Sequence, residues 1–184
     1  GNRTFSVQSN TSGDAQFKAF KNDGTQGFTL LGDGSVTNPL QPAFFAHANT
    51  AQSDLSTGGK VTIHFGTERF DQNADYDTST YTFTAPVDGK YQLNANVRLN
   101  ALDSSASYYI IYIETSNKNY FMILDPTRFS QDVTYWNMNQ SVVADMDASD
   151  TAKVRFFQPN GTAQTDIDGG SGDTPSNFSG FLVA

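Results

Sequence analysis

The strongest constraint on this chain is the run from Phe65 to Leu93, FGTERFDQNADYDTSTYTFTAPVDGKYQL. Tyr81, Phe83 and Ala85 alternate with Thr80, Thr82 and Thr84, a period of two that predicts a strand with one buried face. Pro86 removes a backbone donor and fixes its own φ, and Asp88-Gly89 supplies turn chemistry, so that strand has to stop and a new one start at Lys90. Tyr91, Leu93, Ala95, Val97 and Leu99 then alternate with polar neighbours as far as Asn100, which predicts a long second strand.

Composition narrows the class. With 184 residues, 37% hydrophobic, the chain can bury one sizeable core with length left over, and 15 glycines among many Thr, Ser and Asn favour short strands over helices. No convincing amphipathic helix is visible. A net charge of -8 argues against nucleic acid and against anionic membranes as partners, because phosphate-rich surfaces attract cations. Cysteine is absent, which excludes disulfides, thiol catalysis and Cys-based zinc sites. No apolar run reaches the roughly 20 residues that a membrane helix needs, and no signal-like segment opens the sequence. Gly1 without a preceding Met reads as the start of a processed or excised fragment. Sequons at Asn2, Asn10, Asn139, Asn160 and Asn177 are what chance gives in a chain this rich in Asn, Ser and Thr.

Along the chain, residues 1–38 read as a small β-meander: Thr4–Gln8, Ala15–Phe20 and Gly27–Leu31 alternate and are separated by Ser12-Gly13-Asp14, Asn22-Asp23-Gly24 and Gly32-Asp33-Gly34. Seven apolar side chains are too few to hold such a meander alone, so a partner surface is expected, most simply the same segment of other copies in a fibrous shaft. Pro39 and Pro42 bracket a linker, residues 39–42, and the main domain spans residues 43–184. Within it, Ala43–Ala48 is a first strand. Tyr108–Glu114 (YYIIYIE) is apolar on both faces and therefore calls for cover on both sides, and Tyr120–Leu124, Thr134–Val143 and Lys153–Phe157 are further strands.

The spacing Phe65, Asp71, Tyr76, Phe83, Gly89, Tyr91 is similar to the signature of the C1q-like globular domain, and the ending Phe178-Ser179-Gly180-Phe181-Leu182 matches that family's last strand. The resemblance covers about residues 43–184. It implies an all-β jelly-roll sandwich of about ten strands of the C1q/TNF-like type, assembled as a homotrimer. Leu93 and Ala95 stand where the family usually has aromatic residues, which predicts a locally different core. Residues 28–36, FTLLGDGSV, resemble the shaft-terminal repeats of phage tail-fibre proteins.

Candidate sites are sparse. Two histidines, His47 and His64, with no Cys and no Gly-x-Ser-x-Gly elbow, support neither a Ser-His-Asp nor a Cys-His site. Both read as structural or surface residues. The 19 acidic residues lie mostly in turns, where Asp bonds its own backbone, so no glycosidase pair is indicated. Asp71-x-Asn73-x-Asp75-x-Asp77 begins like an EF-hand loop, but Tyr76 replaces its Gly and Thr82 its bidentate Glu, which leaves a structural role. Asp166, Asp168 and Asp173 in an acidic Gly-rich loop are candidate calcium ligands, and the family resemblance, some members of which bind calcium near the trimer axis, adds to that reading. Tyr135 and Trp136 are candidate ligand contacts: aromatic faces stack on sugars, and adjacent strand residues point to opposite faces.

These readings converge on a non-enzymatic, homotrimeric receptor-binding or adhesion module. It is expected at the tip of a phage tail fibre or similar virion fibre, or otherwise extracellular, recognising a host surface glycan or protein. An extracellular C1q-like lectin of a cellular organism and a glycan depolymerase are the alternatives.

Overall fold

The computed structural model describes residues 15–170, 172 and 175–184. Its contacts divide the chain into two compact units, Gly1–Gln41 and Pro42–Ala184. The expected run Thr4–Gln8 lies outside the described residues.

In the first unit, β1 (Ala15–Phe20), β2 (Gln26–Leu31) and β3 (Val36–Thr37) form an antiparallel three-stranded sheet in that order. Its two turns are built alike. Asp23 accepts the N–H of Thr25 at 2.8 Å and Asp33 that of Ser35 at 2.9 Å, while Gly24 and Gly34 take φ of 83° and 87°, the left-handed region that glycine enters at no steric cost. Phe17 meets Phe28 edge-on at 5.9 Å, yet Phe17 and Phe20 remain 42% and 58% exposed.

The second unit contains β4 (Ala43–His47), β5 (Val61–Thr62), β6 (Thr67–Asp71), β7 (Tyr76–Asp77), β8 (Thr82–Thr84), β9 (Gly89–Leu102), β10 (Tyr109–Thr115), β11 (Asn119–Leu124), β12 (Val133–Met146), β13 (Thr151–Phe157), β14 (Asp166–Ile167) and β15 (Asn177–Leu182). The first sheet runs β12-β9-β15-β4-β6 with β14 also on β9, and the second runs β11-β10-β13-β8-β7 with β5 also on β13. All these pairings are antiparallel, and the two sheets enclose one core, a jelly-roll sandwich. Among the described residues no helix is long and apolar enough to cross a membrane, which says nothing of strands.

The run from Phe65 to Leu93 wraps this core. Phe44 of β4 is stacked between Tyr76 (5.1 Å) and Phe83 (4.8 Å) and meets Phe178 edge-on. Each such fully buried ring contributes roughly 1.5–3 kcal/mol of transfer free energy. The Tyr76 hydroxyl donates to the Phe65 carbonyl at 3.2 Å. Asp71 is a turn residue: its carboxylate accepts the N–H groups of Asn73, Asp75 and Tyr76, closing a loop in which Ala74 has φ 57°. Leu93 and Ala95 are both buried, and Gly180 lies against Leu93, where a Cβ would come within 2.7 Å of Leu93 Cδ2.

Two stretches differ from the alternation. The strand expected from Thr80 to Ala85 is only Thr82–Thr84, because Tyr81 has φ 57° and stacks its ring on His64 at 4.3 Å instead of entering the core. In β10, Tyr109, Ile111 and Ile113 are the core residues, whereas Tyr112 and Glu114 point outward and are half-buried.

Candidate functional site

The two sheets present outward faces of different chemistry. On β9 the outward residues are Gln92, Asn94, Asn96, Arg98 and Asn100, alternating with buried Tyr91, Leu93, Ala95, Val97 and Leu99. Register extends them into rows: Val143–Gln92–Phe181, Ser141–Asn94–Ser179–Phe45, Asn139–Asn96–Asn177–His47 and Tyr135–Asn100–Asp166. Amides bind the face together: Gln92 Nε2 donates to Asn94 Oδ1 at 3.0 Å and to Ser141 Oγ at 2.6 Å, and Ser141 Oγ donates to Asn94 Oδ1 at 2.9 Å. A shallow depression of about 250 Å³ opens among Asn94, Asn96, Asn139, Ser141 and Asn177. At its margins Phe181, Phe70 and Val143 are 48%, 51% and 54% exposed.

At one end of this face the structure brings together most of the residues singled out from sequence. Tyr135 is exposed, opposite Asn100, and the Arg98 guanidinium lies 5.5 Å over its ring. Asp168 accepts from Arg98 Nε at 2.7 Å and pairs with its Nη2 at 2.6 Å. Asp166 lies across Asn100 from Tyr135 and accepts the Asp54 N–H at 2.7 Å. Trp136 is not on this face. It pairs with Leu99, whose side chain is in the core, and packs on Phe129 at 5.3 Å, so Tyr135 and Trp136 do not form one platform. Asp173 lies outside the described residues. Among those described, no three acidic or histidine side chains converge as a metal cage, and Asp168 already faces a guanidinium.

The second sheet's outward face holds a cluster that reading the sequence did not single out. Tyr112 and Phe121 are cross-strand partners 5.9 Å apart, with Phe121 59% exposed, and the Lys60 ammonium lies 4.2 Å over the Tyr112 ring. One row along, Glu114 accepts Lys60 Nζ at 2.6 Å and Arg155 Nη1 at 3.2 Å. Burial pushes the Glu114 carboxyl up, but Lys60, Arg155 and Lys153 outweigh it and hold it below the ordinary range. A cleft of about 350 Å³ adjoins, lined by Glu114, Thr115, Ser116, Asn119, Thr151 and Lys153. The alternations Tyr112-x-Glu114 and Lys153-x-Arg155 were visible in sequence, but only the pairing of β10 with β13, Glu114 opposite Lys153, makes them one site.

His47 is 2% exposed, and burial together with nearby Arg69 holds its imidazole below the ordinary range. His64 is stacked on Tyr81.

An antiparallel sandwich with this strand order defines a jelly-roll head. The family model described as the C1q domain matches residues 43–183, and the chain belongs to that family. No curated protein sequence matches it. Its fold is similar to that of the globular domain of zebrafish complement 1qA protein, with a TM-score of 0.55 at 17% identity, covering 78% of this chain and 98% of the other. It is also similar to murine APRIL, at 0.54, 9%, 78% and 99%, and to the Eiger TNF of S. frugiperda, at 0.54, 12%, 78% and 94%.

Proposed function

We propose that this C1q-domain chain is the homotrimeric receptor-binding or adhesion head at the tip of a phage tail fibre or similar virion fibre, acting on a host surface glycan or protein outside the cell. The observation that carries the reading is the neutrality of the first sheet's outward face. On a chain of net charge -8, the rows from Gln92 to Asn96 carry no ionised side chain on β12, β9 or β15, and the β9 cations on either side of them, Lys90 and Arg98, are paired with Asp145 and Asp168. A neutral face can meet its own copy without like-charge repulsion. The amides supply donors and acceptors, and Phe181, Phe70 and Val143 supply apolar margins. The exposed Phe17 and Phe20 of the meander favour the same assembly, since three copies would cover what one leaves open. Three heads on one fibre bind by avidity, so individually weak sites suffice. Calcium plays no part in this reading.

Light scattering of the purified chain is expected to give a particle of three chains at micromolar concentration, and the fluorescently labelled particle is expected to adhere to host cells. A monomer at that concentration, or no adhesion to any candidate host, would reject the proposal.

A further inference from the structure

The cluster on the second sheet has an uncommitted cation. Three cationic side chains, Lys60, Arg155 and Lys153, surround the single carboxylate of Glu114, and its two oxygens are taken by Lys60 and Arg155. Lys153 sits directly across from Glu114 on β13, lines the cleft, and has no ion-pair or hydrogen-bond partner among the described residues. Asp150, the other carboxylate near the cleft, accepts from the Ser116 hydroxyl at 2.6 Å and from the Asn117 amide. About the cleft, Lys60, Arg155 and Lys153 stand against the two carboxylates Glu114 and Asp150, a surplus of one positive charge on a protein that is acidic as a whole. Its Asn119 amide and Thr151 hydroxyl add donors and acceptors.

Beside the cleft lies an apolar shelf. Tyr112 and Phe121 pair across β10 and β11, one outward row from Glu114 and Asn119, and successive outward rows of a strand are about 6.6 Å apart. Lys60, fixed between the Tyr112 ring and Glu114, stiffens the shelf. The exposed Phe121 ring, next to an ammonium that shares Glu114 with two other cations and to neutral polar groups, complements a sugar that carries its own negative charge, whereas a neutral sugar would cover that surplus cation without answering it.

We propose that the outward face of β10, β11 and β13 binds a carboxylate-bearing saccharide, its ring laid on the exposed Phe121 and its acid group held by Lys153. The proposal deepens the adhesion reading above and rests on it, naming the ligand class and the face. It places recognition on the sheet opposite to the neutral one, so that assembly and ligand binding do not compete for the same surface.

The test uses the full chain and three probes, oligogalacturonate, hyaluronan oligosaccharide and α2,8-linked oligosialic acid, each paired with its carboxyl-reduced neutral derivative. Titration calorimetry is expected to show at least one acidic probe binding and its reduced partner binding at least tenfold more weakly. Lys153→Gln is expected to lose at least tenfold and Phe121→Ala several-fold, with Lys153→Arg retaining most of the affinity. Binding should weaken with added salt. Unchanged melting temperatures exclude misfolding of the variants. The site is overturned if no acidic probe binds, if carboxyl reduction makes no difference, or if Lys153→Gln binds as well as the parent. Adhesion to host cells that survives Lys153→Gln would overturn this site while leaving the adhesion reading standing, and absence of adhesion by the parent chain would strike that wider reading instead.

Discussion

The two outward faces of the sandwich obey the same alternation and yet have opposite characters. Beneath the first, β9 and β15 bury Leu93, Val97 and Phe178, and above them lie amides, two serines and the apolar Phe45, Phe181 and Val143 with hardly a charge. Beneath the second, β10 and β13 bury Ile111, Ile113 and Phe156, and above them lie two aromatic rings and three cations about one carboxylate. A strand's inner positions are fixed by the core, whereas its outer positions are free to be specialised. A neutral face suits meeting its own copy, and an unbalanced charged face suits meeting something of opposite charge.

The largest effect that could break this contrast is expected from Ser179→Arg. Ser179 lies at the middle of the neutral face, between Asn94 and Phe45. Three copies of a new cation at a shared interface would repel, and light scattering is expected to show the trimer replaced by monomer while circular dichroism retains the strand signal. Acidic-saccharide affinity per chain should be unchanged. A trimer that persists would show that the neutral face is not where copies meet.

Next in size is Gly180→Ala, which probes the layer beneath that face. Its Cβ would stand 2.7 Å from Leu93 Cδ2, 2.9 Å from Phe44 Cε1 and 3.0 Å from the Gln92 carbonyl, with backbone on one side unable to yield. Overpacking of this kind costs about 1–3 kcal/mol, readable as a lower midpoint in urea. An unchanged midpoint would mean that Leu93 repacks freely.

Asp103 joins the two sheets at one end and gives a comparable loss with a pH signature. It follows β9, is 2% exposed, and accepts the N–H of Ser105 and those of Thr162 and Ala163, which follow β13. Burial pulls its carboxyl up, but the hydrogen bonds from Ser105, Ala163 and Thr162 prevail and hold it at about 2. Because that lies below its ordinary value of 3.8, the stabilisation is fully present above pH 3.8 and is lost as pH falls toward 2. Asp103→Asn is expected to cost roughly 1–3 kcal/mol at neutral pH and to flatten the acid limb of the stability curve. An acid limb identical to the parent's would remove Asp103 from this role.

Much of the sandwich was legible because its determinants are local. Pro86, Asp88-Gly89 and the period-two run of β9 declare a turn and a long strand without reference to anything distant, and the C1q-like spacing and ending add β15. Tyr81 shows where local pattern fails: alternation put it on a strand, but stacking on His64 and a positive φ took it off, a tertiary choice that no periodicity encodes. The candidate site shows the same limit more strongly. Tyr135 and Asp166 are 31 residues apart and share a row only because both pair with Asn100, whereas neighbouring Tyr135 and Trp136 part to opposite faces as strand geometry requires. Glu114, Lys60 and Arg155 come from three strands or their approaches, and register, not sequence distance, makes them a cluster.

His47 offers the smallest but most selective probe of the contrast, because it is the titratable group of the neutral rows from Gln92 to Asn96. It ends the row Asn139–Asn96–Asn177, is almost fully buried, and sits near Arg69. Burial first, and Arg69 second, oppose its protonation, so its native pKa lies below the ordinary 6.5. The unfolded chain then binds the proton more readily than the folded one, and stability contributed by neutral His47 is present above pH 6.5 and lost as pH falls through the native value. Melting temperature measured from pH 7.5 to 5 is expected to fall modestly, and His47→Gln is expected to flatten that part of the curve. Lys153→Gln, on the opposite face, is expected to leave it unchanged. A slope that survives in His47→Gln would assign the effect to other groups and leave the neutral rows without a proton-sensitive member.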